Sequence, residues 1–372
     1  MIFTTSAYSL QFSASIRLVS RIVTLLLSFF LSSGILLAED THDTSLLENT
    51  NAQYTQKKVE IEFVTVGDEG NLPFKQSRGD KIGGVDQSYE IGKYDITAEQ
   101  YCAFLNAMAQ SDFYGLYDSR MGSDPDVACI QRHGSVGHYT YSIIEDGKSR
   151  GQLPITYVTW ESAARFCNWL TNDQPEGSEE SGTTVRGIGG AAVMYRLPTL
   201  DEWYKAAYYK GGGIDAGYWL YATQSNDLPH NRIGNELNQM NYYYGKSLDY
   251  RKNYAVRSQP RLTPVGIFGG SSGYYGTFDM AGNVRQWLDE TLFEDACGNI
   301  GWLKPGSPRP TSEPNSFNRY MFYHYAAGIS WCYEDSWSDP SRGSHDHTFR
   351  LPWEGEAYRD STIGFRVVRI RR

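Results

Sequence analysis

Cysteine is scarce in this 372-residue chain: there are five, Cys102, Cys129, Cys167, Cys297 and Cys332, and no two stand in a Cys-x-x-Cys pair. Their wide spacings match no zinc module, so a structural zinc site is not expected. Basic side chains are outnumbered, 34 against 43 acidic ones, and the formal charge of -9 argues against a whole-molecule attraction to a nucleic-acid backbone. No phosphate-binding loop of the P-loop type is present, and hydrolase and kinase readings gain little support. Charged residues are 21% of the chain and the hydrophobic set 40%, enough apolar side chain for a core and too much for full disorder.

The long apolar run lies at the start. Arg17 and Arg21 precede Ile22–Leu37, which Ala38 and then Glu39-Asp40 follow. A positive flank, a short greasy stretch and a small residue make a secretory signal, so residues 1–38 are expected to be removed. The alternative is a retained anchor, but the run is just short of a spanning helix and no basic cluster follows it. Cleavage would remove two arginines and no acid, leaving 32 basic against 43 acidic residues, a formal charge of -11. The product would be exported, periplasmic or secreted, with no stable membrane span. All five cysteines then lie where disulfides can persist, and the odd count leaves at least one unpaired unless it bridges two chains.

What is abundant points to a loop-rich fold: aromatics reach 14%, with 28 Tyr and 9 Trp, and there are 37 Gly. Residues 39–57 are polar and without period, a tether. A folded domain over 58–372 opens with a strand in which Val59, Ile61 and Phe63 alternate with polar neighbours. Three helices each begin on a threonine. Thr97, boxed by Gln100, precedes a stripe of Tyr101, Phe104, Leu105 and Met108; Thr159 precedes Ala163, Phe166, Cys167 and Leu170; Thr199, boxed by Glu202, precedes Trp203, Ala206 and Ala207. Asn283 is expected to cap a short fourth helix with Val284, Trp287 and Leu288 on one side. Residues 111–152 read as loops with one short strand near Tyr139–Ile144, Gln174–Ala192 as an exposed insertion, 211–263 as turns, and Thr362–Ile370 as a terminal strand. No break in composition divides residues 58–372.

Five blocks then fall in order: Tyr89 to Thr97, Pro154 to Trp160 running on to Trp169, Tyr195-Arg196-Leu197-Pro198-Thr199 to Trp203, Tyr275 to Trp287 with Gly282-Asn283-Val284 at its centre, and Ile363-Gly364-Phe365-Arg366-Val367-Val368. Together they resemble the formylglycine-generating enzyme, or sulfatase-modifying factor, family across roughly residues 58–370. The resemblance implies an α+β fold, a single compact loop-rich domain like a C-type lectin. Fold alone does not choose between an oxidase and a binding module.

Oxidase members of that family hold copper(I) between two cysteines five positions apart, shortly after a Gly-Gly-Ser-Trp block. Soft thiolates select that ion. The matching block here is Gly328-Ile329-Ser330-Trp331, and an ungapped match puts Tyr333 and Ser338 at the sulfur positions, with Cys332 one position early. Ala327 and Ile329 also depart from the pattern. The chain is therefore expected to lack copper and the oxidase activity, and to work as a binding or envelope-associated module for a protein, peptide or glycan. The alternative is a divergent formylglycine-generating oxidase acting through Cys332, which otherwise reads as a buried thiol or a disulfide partner, of Cys297 for instance. The resemblance also implies structural calcium, with Asn241 and Tyr242 at one site and the Gly276 carbonyl at a second, oxygen donors such an ion prefers; the plain alternative for Asn241 is to satisfy loop backbone groups. His345-Asp346-His347 with His324 could hold a metal, although a solvated loop is the simpler reading. Trp331, Trp337 and Trp353 are the candidates for an exposed ligand platform, while Trp160, Trp169, Trp203 and Trp287 belong to the core.

Overall fold

The computed structural model describes residues 58–371, apart from 77–78, 80, 178–191, 244–253, 295–299, 304–320, 333–347 and 351–357. Among these residues no helix is long and apolar enough to cross a membrane.

Two sheets carry the fold. In the first, β1 (Phe63–Val66) pairs with β4 (Tyr89–Gly92), β4 with β13 (Val368–Arg371) and β13 with β7 (Val193–Arg196), all antiparallel. In the second, β8 (Arg285–Glu294) is central, flanked by β10 (Met321–Ala327), β9 (Ile300–Leu303) and β12 (Ile363–Gly364), with β11 (Thr348–Arg350) beyond β10. The β8–β12 pair is parallel. Two small hairpins, β2 (Phe74–Lys75) with β3 (Lys81–Ile82) and β5 (Ile130–His133) with β6 (Thr140–Ile143), complete the strands.

Helices α1 (Ala98–Met108), α3 (Trp160–Thr171) and α4 (Leu200–Tyr208) start where their threonines predict, and α2 (Arg120–Ser123) is a single turn. Thr97 and Gln100, and Thr199 and Glu202, form reciprocal capping boxes, while Thr159 Oγ1 accepts from the Ser162 amide. Each box satisfies two amides that a helix start leaves open. The predicted stripes become two cores. Tyr101, Phe104, Leu105, Phe166 and Cys167 build one between α1, α3 and Phe365; Trp203, Ala206, Ala207 and Tyr208 build the other against Tyr89 and Ile91 of β4. Of the four tryptophans assigned to the core, Trp169, Trp203 and Trp287 are buried, and Trp160 packs at its edge.

The expected fourth helix is a strand. Asn283 has a left-handed backbone (φ 63°), and its side chain is spent on a turn, not a cap: Oδ1 accepts from the Thr263 amide and from Asn241 Nδ2, and Nδ2 donates to the Thr263 carbonyl. The chain then extends into β8, whose adjacent Trp287 and Leu288 point into different cores. Val284, Trp287 and Leu288 fit a helical face by spacing alone, and pairing on both sides decides for strand.

The terminal strand is two strands in different sheets. Phe365–Val367 connects β12 to β13 because Arg366, wholly buried, turns inward. The first strand likewise begins only at Phe63, with Val59 and Ile61 before it packed against the helix-side core.

Candidate binding face at Cys332

Strand β8 and its parallel neighbour β12 bring three loops to one end of the molecule. The Arg285 amide donates to the Thr362 carbonyl at 2.8 Å and its Nη2 to Thr362 Oγ1 at 2.7 Å. Asp360 turns the incoming loop by accepting from the Thr362 amide at 2.8 Å, and its carboxylate stands 4.0 Å from the Arg285 guanidinium. Opposite, Gly328 (φ 97°) reverses the chain after β10; a Cβ there would lie 3.0 Å from the Met280 carbonyl, so glycine fits both the turn and the approach. The Trp331 amide then docks on the Asn283 carbonyl at 2.9 Å.

This strap places Cys332 at the surface edge of the helix-side core, half-buried, with a free thiol. Burial pushes that thiol up to about 11; Asp360 and Asp126 add to the rise, while the Ser330 hydroxyl and Arg285 oppose it. At neutral pH the sulfur is therefore a thiol, the poorer form both as nucleophile and as metal ligand. Cys102, Cys129 and Cys167 are buried free thiols elsewhere in the same core. None of them is among the groups acting on Cys332.

The rim is made of arginines stacked on tyrosines. Arg261 lies 4.2 Å over the Tyr254 ring and 3.5 Å from Asp126, and Tyr254 packs against Trp331. On the other flank Arg120 lies 4.4 Å over Tyr157, whose hydroxyl donates to Asp124 and whose amide donates to the Asp360 carbonyl. Tyr157 holds a left-handed backbone (φ 59°), an unusual conformation for a bulky residue. Asp118 accepts from Arg120 at 2.9 Å and pairs with Arg359 at 3.7 Å. Every one of these guanidiniums has a carboxylate beside it, so the face is polar and mixed in charge rather than a basic patch.

The structure uses the sequence candidates differently from one another. Trp331 is 5% exposed, its indole nitrogen donating to the Ser361 carbonyl at 3.1 Å; it supports the strap from within and offers a ligand no ring face. Trp337, Trp353, Tyr333, Ser338, Cys297 and the His345-Asp346-His347 run lie outside the described residues. His324 is buried, stacked on Trp160 at 4.0 Å, with Nδ1 3.2 Å from Thr291 Oγ1 and Nε2 3.4 Å from Glu161. Asn241 ties loops together: Nδ2 donates to the Arg261 carbonyl and to Asn283 Oδ1, and its own carbonyl accepts from the Asn283 amide. Tyr242 is buried and donates to the Pro229 carbonyl, and Gly276 turns a separate loop beside Val64 (φ 87°). Ser271 sits in a Gly-x-Ser-x-Gly run, Gly269–Gly273, but its hydroxyl is occupied, accepting from the Gln239 amide and donating to the Glu236 carbonyl.

Residues 53–371 match the sulfatase-modifying factor enzyme 1-like domain family. The chain belongs to that family. Solved structures similar to this sulfatase-modifying-factor domain include CarF, at 20% identity and a TM-score of 0.44 over 83% of this chain and 98% of that one. Treponema denticola variable protein 1 matches at 18% identity and a TM-score of 0.42, over 85% and 97%. PvdO from Pseudomonas aeruginosa matches at 16% and 0.41, over 84% and 92%. No curated protein matches significantly. In the sequence of this sulfatase-modifying-factor domain, tyrosine and serine stand where an ungapped family match expects the two sulfurs, and among the described residues Cys332 is the one cysteine of the strap. Among the described residues no group of three or more His, Cys, Asp or Glu could hold a metal. The rim residues Tyr157, Arg120, Arg261 and Asp360 escaped sequence reasoning, since neither stacking nor a left-handed tyrosine has a sequence signal.

Proposed function

We propose that this chain is an exported, non-oxidase member of the family, a binding or envelope-associated module whose ligand side is the loop face around Cys332. The observation that supports this most is the lack of a second cysteine after Cys332, with Tyr333 and Ser338 at the positions where an ungapped family match expects the sulfur pair. A copper-dependent oxidase needs two sulfurs that readily become thiolates, because soft anionic sulfur is what retains copper(I) against water. The mixed-charge rim of Arg120, Arg261, Asp126 and Asp360 suits a polar peptide or glycan segment, which hydrogen-bonding side chains of both signs can accommodate. No charge of one sign dominates it.

The test is a copper(I) titration of the wild type and Cys332→Ala. Neither is expected to bind tightly. Tight binding by the wild type that the variant loses, together with formylglycine formation on a cysteine-containing sulfatase peptide, would establish the divergent oxidase instead.

A further inference from the structure

Two cysteines outside the loop face lie against one element. Cys102 is on α1 and Cys129 immediately precedes β5, and both are buried in the helix-side core. Asn106, one turn beyond Cys102, sets how the helix meets the hairpin. Its Nδ2 lies 3.7 Å from Cys102 Sγ and donates to the Tyr141 carbonyl at 2.8 Å, and its Oδ1 accepts from the Tyr141 amide at 2.9 Å. Toward the helix start, Glu99 and Ile143 both flank Gly151. Cys102 thus lies on the face of α1 that Asn106 ties to β6 at Tyr141. Ile144, the residue after β6, donates its amide to the Cys129 carbonyl at 2.9 Å. Burial pushes Cys129 up to about 12, and the next contributor is Cys102 itself.

We propose that Cys102 and Cys129 join as a disulfide when the chain folds in an oxidising compartment, tying α1 to the base of the β5–β6 hairpin. The setting rests on the export reading; the chemistry does not. The oxidant is a low-molecular-weight disulfide. One cysteine thiolate attacks it, giving a mixed disulfide and releasing one small thiolate, and the second cysteine thiolate displaces the other. One sulfur–sulfur bond breaks and one forms, the oxidant gains two electrons, and the two cysteine protons end on the departing thiols. The step belongs to folding, before the core closes, because in the folded chain burial keeps both thiols protonated.

The full chain is unfolded and reduced, refolded in oxidised and reduced glutathione, quenched with iodoacetamide and mapped by mass spectrometry without reduction. A sample made in an oxidising compartment and never unfolded is mapped alongside. The expected product is one peptide pair joined through Cys102 and Cys129, two hydrogens lighter than the separate peptides, and absent from Cys102→Ser and from Cys129→Ser. Its thermal midpoint is expected above that of the reduced chain. Alkylation of both cysteines in both samples, or a crosslink from either to Cys167 or Cys332, overturns the proposal. Export is read separately, from the N-terminus of the exported product, so the two ideas fail independently.

Discussion

Arg366 shows what one side chain can hold. It is wholly buried, as is Asp95 3.1 Å away, and its guanidinium also donates to the carbonyls of Gly92 (2.8 Å), Lys93 (3.3 Å) and Phe278 (2.7 Å). These bonds pin β4, the Phe278 loop and the β12–β13 connection to one point. Burial raises the Asp95 carboxyl and Arg366 opposes that rise. Arg366→Met removes the guanidinium from the Asp95 carboxyl and from the Gly92 and Phe278 carbonyls, while the Lys93 carbonyl keeps the Phe278 amide, and is expected to lose about 3–5 kcal/mol of stability by urea unfolding. Asp95→Asn with Arg366→Met together is expected to lose less than the sum of the two single changes, because neither then strands a charge. Nothing near position 366 in the sequence marks an arginine that turns inward; alternation through Thr362–Ile370 reads as one strand. The Cys332 strap differs: that no cysteine follows Cys332 is visible in the sequence, and the folded chain adds the burial that raises its thiol.

At the scale of elements, local chemistry was legible wherever it was self-contained. A threonine cap, a glutamine or glutamate three residues on and an apolar stripe lie within one stretch of chain, so α1, α3 and α4 could be placed from their sequences. Thr199→Ala is expected to cost about 1 kcal/mol in thermal or urea unfolding, the usual worth of a cap. Glu202→Ala is expected to cost more, since Glu202 also receives Arg196 through both oxygens at 2.6 and 2.7 Å. β8 was misread for the converse reason. Its strand state depends on β10 and β12, both further along the chain, as well as on the neighbouring β9, and Asn283 caps or turns according to whether Thr263 is beside it. The short hairpin β5–β6 was half legible: the β6 segment alternates, whereas β5 is recognisable only by its partner.

Across the whole molecule, buried carboxyls set a pH response. Burial raises Asp289 to about 7 and Glu290 to about 8; Arg196 opposes the first and the Leu200 amide the second. A carboxyl with a folded value above its unfolded one, about 4, holds its proton more tightly when folded. Its contribution is therefore complete below about pH 4 and is lost as the pH rises toward 8. From these two groups, and from Asp95, which burial also raises to about 8, the chain is expected to be more stable at pH 5.5 than at pH 8.5 in urea unfolding, and Glu290→Gln is expected to reduce that difference. A wild type equally stable at both, with the variant unchanged, would remove these groups from the account. The sequence by itself determined the helices, the single α+β domain and that no cysteine follows Cys332, because caps, periodicity and residue identity are local properties. Only the tertiary structure decided that Trp331 supports rather than displays, that Asn283 turns the chain into a strand, and that burial raises the Cys332 thiol. Each of those depends on groups far apart in the chain, and the burial they create exists only once they have packed.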